Sequence, residues 1–333
     1  MQQALYHPEH GYYSSGRCVI GRKGDYFTNV SVGPLFGQLL AAQFTEIWER
    51  LGRSDNFAIV EQGAHDGQFA RDVLESSQKR TPEFFEALRY RIVEPFPILQ
   101  ERQARTLDSF REKIEWRDSL QPFVGVHFSN ELLDAMPVRL IGGDVEKLVD
   151  LEGDKFVFVE RPLRQGAAAS RLPRDEGSFN QAALDWINGV AANLQRGYVI
   201  TIDYGRSDGE FRGSIRVRAQ HRNLDSPFEQ IGHADIAMGV RWASIAGRAQ
   251  SNGLRMAGFT DQHHFFTGII SESPDLTSES GAKIKRELQT LLHPEMLGRA
   301  FHVLALSKNI DPAAPKLAGF KFAHEPGSLL GVR

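Results

Sequence analysis

Residues 60–70 read Val60-Glu61-Gln62-Gly63-Ala64-His65-Asp66-Gly67-Gln68-Phe69-Ala70. An apolar run, Phe57 to Val60, leads into this stretch. A pattern carrying Phe69, Val73 and Leu74 at helical spacing leads out of it, from Gly67 to Gln78. Strand, glycine-bearing turn and helix in that order open a parallel α/β sheet. Glycines at 63 and 67 suit a backbone that approaches a ligand closely. The spacing is not the dinucleotide fingerprint G-x-G-x-x-G, which places a pyrophosphate on a helix N-terminus. Here the glycines stand as Gly63-x-x-x-Gly67, and Glu61 precedes them by two residues. An acid there repels a pyrophosphate but suits the cationic amino group of S-adenosylmethionine. The pattern therefore points to a methyl donor rather than NAD, with His65 and Asp66 inside the loop. Taken alone, the same turn reads equally well as an ordinary strand-to-helix connection.

Working outward, strands alternate with helical stretches, the pattern of a parallel sheet covered on both faces. Leu35 to Leu51 carries Leu39, Leu40, Phe44, Ile47 and Trp48 at helical spacing. Arg89 to Val93 predicts a second strand ending at Glu94, followed by a helix through Leu99, Ala104 and Leu107. A third strand near Ile114 to Trp116 ends at Asp118. A fourth, Val124 to Phe128, runs into Asn130-Glu131-Leu132-Leu133-Asp134-Ala135-Met136-Pro137. A fifth, Tyr198 to Ile202, ends in Asp203-Tyr204-Gly205, and His264–Ile270 and Phe301–Ser307 read as the last two strands. Two segments break the alternation. Residues 138–165 alternate apolar and polar around Gly142-Gly143 and Glu152-Gly153-Asp154, which predicts antiparallel hairpins. Residues 205–237, rich in Gly, Arg and His, predict a loop or lid.

Composition narrows the function classes. The 333 residues are 41% hydrophobic and 24% charged, enough for one large domain with insertions or for two domains. A formal charge of -3 gives no bulk attraction to nucleic acid or to an anionic membrane, so neither is expected as a partner. The single cysteine, Cys18, excludes an internal disulfide framework and a cysteine-rich metal site. No apolar run approaches the roughly 20 residues needed to span a bilayer. The N-terminus lacks the apolar core of a signal peptide and the arginine-rich character of a transit peptide, so a cytoplasmic location is expected.

Acids close three successive predicted strands. Glu94 ends the second, where a carboxylate can accept hydrogen bonds from both ribose hydroxyls of an adenosine. Asp118 ends the third, in reach of an adenine amino group. Singly, each acid reads as a solvated strand end or a helix cap. Together with Glu61 they favour a nucleoside site, because buried carboxylates are costly unless they have partners.

These segments resemble the MidA-like family of class I, S-adenosylmethionine-dependent methyltransferases. The resemblance is carried by LYHPEHGYY (Leu5–Tyr13), GRKGDYFTNVSVGPLFG (Gly21–Gly37) and the loop just described. It continues through RIVEPFPILQERQ (Arg91–Gln103), SNELLDAMPV (Ser129–Val138), TIDYG (Thr201–Gly205) and MLGRAFHVLALSK (Met296–Lys308). They follow the family's order across almost the whole chain. The resemblance implies a Rossmann-like class I methyltransferase sheet, mostly parallel with its last strand antiparallel, and S-adenosylmethionine as cofactor. Mitochondrial members are complex I assembly factors that methylate an arginine of a core complex I subunit. An arginine of a protein substrate, such as a complex I subunit, is the implied acceptor, and a homo-oligomer is compatible. Where the family shows E-x-G-x-G-x-G, this chain has His65 at the middle glycine with Asp66 beside it. The alternative is an assembly or binding factor that keeps the fold with weak or no catalysis. An NAD-dependent oxidoreductase is disfavoured by Glu61.

The resemblance also implies that the N-terminal segment folds over the cofactor. Asp25 and Thr28 then join Glu61, Gly63, His65, Asp66, Gly67, Glu94 and Asp118 as cofactor-site residues. Thr28 reads also as a turn cap. A planar guanidinium acceptor needs carboxylates to orient it. Glu131 is expected to supply one, with Asn130 or Asp134 assisting. Alternatively, Asn130 caps a short helix whose acidic first turn holds Glu131 and Asp134. Asp203 and Tyr204 read as lining of the acceptor pocket or, for Asp203, as a buried cap. His221, His233 and Asp235 lack tight metal-ligand spacing, and no metal is expected. The expected organisation is an N-terminal cover over 1–56, a core over 57–137 and 185–310, and a hairpin insertion over 138–184. A lid over 205–237 lies within the core, and a tail covers 311–333.

Overall fold

A computed structural model describes all residues except 19–20, 22–23, 143, 164–176, 206–214, 279–280, 325–329 and 331–333. The strands in the first half are β1 (Phe57–Gln62), β2 (Leu88–Val93), β3 (Ile114–Arg117), β4 (Phe123–Asn130), β5 (Arg139–Gly142), β6 (Val145–Glu152) and β7 (Lys155–Pro162). The second half adds β8 (Gly177–Phe179), β9 (Leu194–Tyr204), β10 (Arg216–Ala219), β11 (Arg222–Leu224), β12 (Asp235–Ala237), β13 (Arg255–Asp261) and β14 (Phe301–Lys308). The α-helices are α1 (Gln2–Tyr6), α2 (Asn29–Val32), α3 (Leu35–Arg50), α4 (Gln68–Arg80) and α5 (Pro82–Ala87). They continue with α6 (Pro97–Thr106), α7 (Gln181–Asn193), α8 (Trp242–Ser251), α9 (Gln262–Glu272) and α10 (Ala282–Leu292).

The central sheet has seven strands in the order β13-β14-β9-β4-β1-β2-β3. Strands β3, β2, β1, β4 and β9 are mutually parallel, and β14 lies antiparallel between β9 and β13. Strand order reverses between β1 and β4, so a crevice opens beyond their carboxyl ends. The central strands are near-continuous apolar runs because helices cover both faces. On one face Phe44 of α3, Phe69 of α4 and Phe265 and Phe266 of α9 pack with Phe128 of β4. The rings of Phe69 and Phe128 stack at 4.4 Å, which pins the start of α4 to the sheet beside the crevice. Burying each such ring contributes about 1.5–3 kcal/mol. On the other face, α7 and α8 bring Ile187, Val190 and Ile245 against Val60 and Leu304.

A third, smaller cluster joins Leu5 and Tyr12 of the N-terminal segment to Val217 and Ile236. The latter belong to a separate three-stranded sheet, β11-β10-β12. The 205–237 segment, expected as an irregular loop or lid, therefore carries paired strands from residue 216, while 206–214 lie outside the described residues. The hairpins expected over 138–165 are present: β5 pairs β6 and β6 pairs β7, both antiparallel. Gly143 of the first turn is outside the described residues.

One element corrects the sequence reading. His264–Ile270 is not a strand but the body of α9, and the strand preceding β14 is β13. Asp261 ends that strand and caps the helix, its Oδ1 accepting the His264 N–H at 2.9 Å. A short apolar run fits a buried helix as well as a strand, and the capping aspartate decides between them here.

Candidate active site

The carboxyl ends of β1, β2 and β4 open into a cavity of about 750 Å³. Residues 61–66 line one part, Glu94 and Phe96 another, and Asn130, Glu131 and Leu132 a third. The N-terminal segment closes over it with Tyr6, Tyr13, Tyr26 and Thr28. Val93, Phe96, Leu99, Leu132 and Met136 supply apolar wall, suited to a flat ring.

The turn after β1 has left-handed backbone at three alternate positions: φ is 83° at Gly63, 47° at His65 and 82° at Gly67. The middle position thus has a glycine's conformation. Histidine is among the residues that enter this region more readily, so the turn keeps its path with His65 in place. A Cβ on Gly67 would stand 3.1 Å from Leu107 Cδ1 and 3.4 Å from the backbone Cα of Gln103. Asp66 Oδ1 accepts the Gln68 N–H at 3.2 Å, starting α4, and lies 3.7 Å from His65 Nδ1. Burial works against the His65 imidazolium, but Asp66 and Cys18 outweigh it and raise its pKa above the ordinary value. His65 lines the cavity, and among the described residues its buried Nε2 has no hydrogen-bond partner.

Glu61 is buried, and its Oε2 accepts the Tyr90 hydroxyl at 2.7 Å. Burial pushes its pKa up to about 8, with the Tyr90 hydrogen bond pulling the other way. On β4, burial lowers His127 to about 3, so the ring is neutral. Gln62 Oε1 can only accept, so His127 donates Nε2–H to it at 2.9 Å and fixes the amide at the cavity wall. Glu94 accepts the Phe96 N–H at 3.0 Å and a proton of Gln103 Nε2 at 3.2 Å, and burial raises its pKa. Asp118 is exposed and outside the cavity lining. Gln100 links it to the site, donating to Asp118 Oδ1 at 3.4 Å and to the Glu94 carbonyl at 2.6 Å.

Past β4, Glu131 takes a left-handed backbone, φ 52°. Its Oε1 accepts the Asn29 N–H at 3.0 Å and Asn130 Nδ2 at 2.9 Å, while Asn29 Nδ2 donates to Asn130 Oδ1 at 3.1 Å. Burial and then the Asp134 charge push Glu131 up to about 8 against these donors. No helix starts here, which overturns the reading of Asn130 as a cap. The acid that gathers the free N–H groups is Asp203 at the end of β9. Its Oδ2 accepts from Leu132 at 3.1 Å, Leu133 at 2.8 Å and Asp134 at 3.3 Å. Thr28 caps α2 in a reciprocal pair with Ser31 and also lines the cavity. Asp25 lies outside the lining and acts as a tie. It accepts the Tyr12 hydroxyl at 2.8 Å and the Gln220 N–H at 2.8 Å, joining the N-terminal segment to the small sheet.

A smaller pocket shares Tyr13, Tyr26 and Glu131 with the cavity and adds Asp134, Tyr204, Arg216, Arg218 and Asp235. Burial and the Asp203 and Asp235 charges hold the Asp134 carboxyl well above its ordinary range, with Arg216 opposing. The Arg216 guanidinium lies 4.8 Å over the Tyr204 ring, and Tyr13 donates its hydroxyl to Asp235 at 2.7 Å. Among the described residues no group of three or more His, Cys, Asp or Glu could hold a metal ion. No helix among them is long and apolar enough to cross a membrane.

Sequence reasoning missed Gln62, Gln103 and the three tyrosines. Gln103 left a signal, since Leu99 and Gln103 of α6 and Leu107 just past its end recur at a spacing of four, and a glutamine interrupts an otherwise apolar row.

The sheet order, the crevice at the switch point and the left-handed turn after β1 define a Rossmann-like methyltransferase. The chain belongs to the MidA-like family of S-adenosyl-L-methionine-dependent methyltransferases, whose family model matches residues 39–260. It is similar to the protein arginine methyltransferase NDUFAF7 homolog, mitochondrial, of Drosophila melanogaster, at 25% identity over 92% of this chain and 80% of the relative. The protein arginine methyltransferase NDUFAF7, mitochondrial, of Homo sapiens is 25% identical over 92% and 78%. A Burkholderia thailandensis protein crystallised with S-adenosyl-homocysteine superposes with a TM-score of 0.85 at 28% identity, covering 98% of this chain and 90% of that one. A native crystal structure from the same organism gives 0.85 at 27% identity over the same shares. The cofactor is S-adenosylmethionine. The cavity suits it: two buried acids, Glu61 and Glu94, and an apolar wall meet a left-handed turn.

Proposed function

We propose that this methyltransferase acts on an arginine side chain of a protein, with a respiratory complex I subunit as the acceptor implied by the family resemblance. Glu131 carries the reading: a half-buried carboxyl in a left-handed backbone where the cofactor cavity meets the acid-lined pocket. When bound, the cofactor supplies an electrophilic methyl group on a sulfonium. Glu61 takes its amino group, Glu94 its ribose hydroxyls, and the turn at 63–66 its close backbone approach, while Gly67 makes room for Leu107 and Gln103 rather than for the cofactor. Asp66 holds that turn, and Thr28 holds the covering segment. On the acceptor side, Glu131 with Asn130 aligns one edge of a guanidinium, and Asp134 and Asp235 supply negative field. Glu131 sits near pKa 8, so an arriving cation draws it into the ionised form and makes a charge-assisted pair. Methylation of a guanidinium releases one proton, and the nearest acceptors are these same carboxylates. Arg216, whose guanidinium lies over the Tyr204 ring, opposes the rise of Asp134, so the field of this pocket already acts on a guanidinium of the chain itself. Most of the rate then comes from positioning and exclusion of water.

The test is Glu131→Gln, read twice. S-adenosylhomocysteine affinity by titration calorimetry should stay within about twofold, while methyl transfer to arginine peptides should fall by roughly 100-fold or more. A parallel loss of cofactor affinity would put Glu131 in the cofactor site and end its acceptor role.

A further inference from the structure

We infer that Gln103 is the positioning residue of the cofactor loop, holding the His65 carbonyl and the Glu94 carboxylate in one fixed frame. Gln103 lies on α6 and is fully buried. Its Nε2 donates to the His65 carbonyl at 3.1 Å and to Glu94 Oε2 at 3.2 Å. Its Oε1 accepts the Trp116 indole N–H at 3.0 Å. One amide thus joins the turn after β1, the end of β2 and β3 itself. Only glutamine of this length gives two donors and an acceptor in this arrangement. Leucine would strip partners from a buried carbonyl, a carboxylate oxygen and an indole N–H, while glutamate would set a second carboxyl against Glu94. The helix already packs closely on the loop at Gly67, where an added Cβ would stand 3.4 Å from the Gln103 Cα.

The donor to His65 has a particular purpose. His65 keeps a left-handed backbone that favours glycine, and a strained conformation persists only where its surroundings over-determine it. Gln103 supplies that restraint at the carbonyl of the strained residue. It does not line the cavity, so it acts through Glu94 and His65 rather than on the cofactor. This role is independent of the acceptor's identity.

The experiment is a double-mutant cycle of Gln103→Leu and His65→Gly in the full chain, read by calorimetric titration with S-adenosylhomocysteine. Gln103→Leu should weaken binding roughly tenfold, as loss of a buried hydrogen-bond partner does. In the His65→Gly background the loss should shrink to about threefold, because glycine needs no restraint and only the Glu94 contact is lost. With turnover measured alongside, the KM for S-adenosylmethionine should rise while kcat at saturation stays unchanged. Equal losses in both backgrounds would overturn the inference. So would a lowered melting temperature with unchanged affinity. Should Gln103→Leu fail to fold, Gln103→Met keeps the side chain's length without its donors and carries the same cycle with the same two outcomes.

Discussion

The Asp203 carboxylate accepts the Leu133 N–H at 2.8 Å, so the end of β9 dictates the path of the chain leaving β4. The same oxygen takes the neighbouring N–H groups of Leu132 and Asp134, while Oδ1 takes the Tyr204 N–H at 2.7 Å. This clasp presents Glu131 to the cavity in its left-handed conformation. Asp203→Ala leaves those groups without an acceptor in the core. Thermal or urea unfolding should show a loss of about 2–4 kcal/mol. Methyl transfer should fall further than S-adenosylhomocysteine affinity, because Glu61 and Glu94 stand on other strands. Equal losses would show that the clasp supports both halves of the site alike.

Several buried acids make stability depend on pH in the direction opposite to ordinary paired carboxylates. Burial holds Glu61 and Glu131 at about 8, Asp203 at about 7, and Asp72 and Asp235 at about 6. Each folded value is raised above the unfolded one, so the folded protein binds more protons between the two. The resulting stabilisation is complete below about pH 4 and is lost as pH rises through 6 to 8. Asp66, Glu146 and His127 are lowered and act the other way, but only below about pH 6.5. The melting temperature of the cofactor-free protein should fall from pH 5.5 to 8.5, and Glu61→Gln should flatten the slope. A melting temperature that rises over that range would contradict the burial of these acids as the controlling factor.

Much of this arrangement was legible in the chain. Glu61 and Glu94 close parallel strands beside the point where strand order reverses, so both could be placed at the crevice from the alternation of strands and helices. Asp118 could not, because β3 ends at Arg117 and the next side chain turns to solvent. Glu131 was legible only as an acid after a strand. Its clasp by Asp203 joins residues about 70 apart, and no local pattern records that pairing. Asp25 fell within a motif, yet its partners, Tyr12 and Gln220, show it fastening the cover rather than lining the cavity. The α9 error has a similar cause, since only the pairing of β13 with β14 reveals which apolar run is the strand.

Cofactor binding should release a proton through Glu61. Burial holds the free carboxyl at about 8, so at pH 7 it is mostly protonated. An ammonium group beside it favours the charged form, lowers its pKa and expels the proton. Calorimetry at pH 7 in buffers of different ionisation enthalpy should therefore report release of close to one proton. Affinity should rise with pH until about 8 and then level off. Glu61→Gln should abolish the release and weaken binding by roughly 1.5–3 kcal/mol, the range for a hydrogen bond to a charged group. Unchanged proton release in that variant would assign the titrating group elsewhere.

Gly67 and His65 share a left-handed backbone but should respond to substitution in opposite ways. At Gly67, φ is 82° and an added Cβ meets Leu107 at 3.1 Å, with the Gln103 backbone just beyond. Gly67→Ala combines a conformational cost of roughly 1–2 kcal/mol with that crowding, so affinity for S-adenosylhomocysteine should drop. At His65, glycine removes a comparable strain but adds freedom to the unfolded chain, a cost of roughly 0.5–1 kcal/mol, so stability should barely move. His65→Gly should also keep the cofactor, since the turn's path is set by its backbone. Both variants can be compared by thermal unfolding with and without ligand. If His65→Gly loses the cofactor more severely than Gly67→Ala, the buried Nε2 is itself a ligand contact, and this chain has replaced a glycine with a side chain that binds.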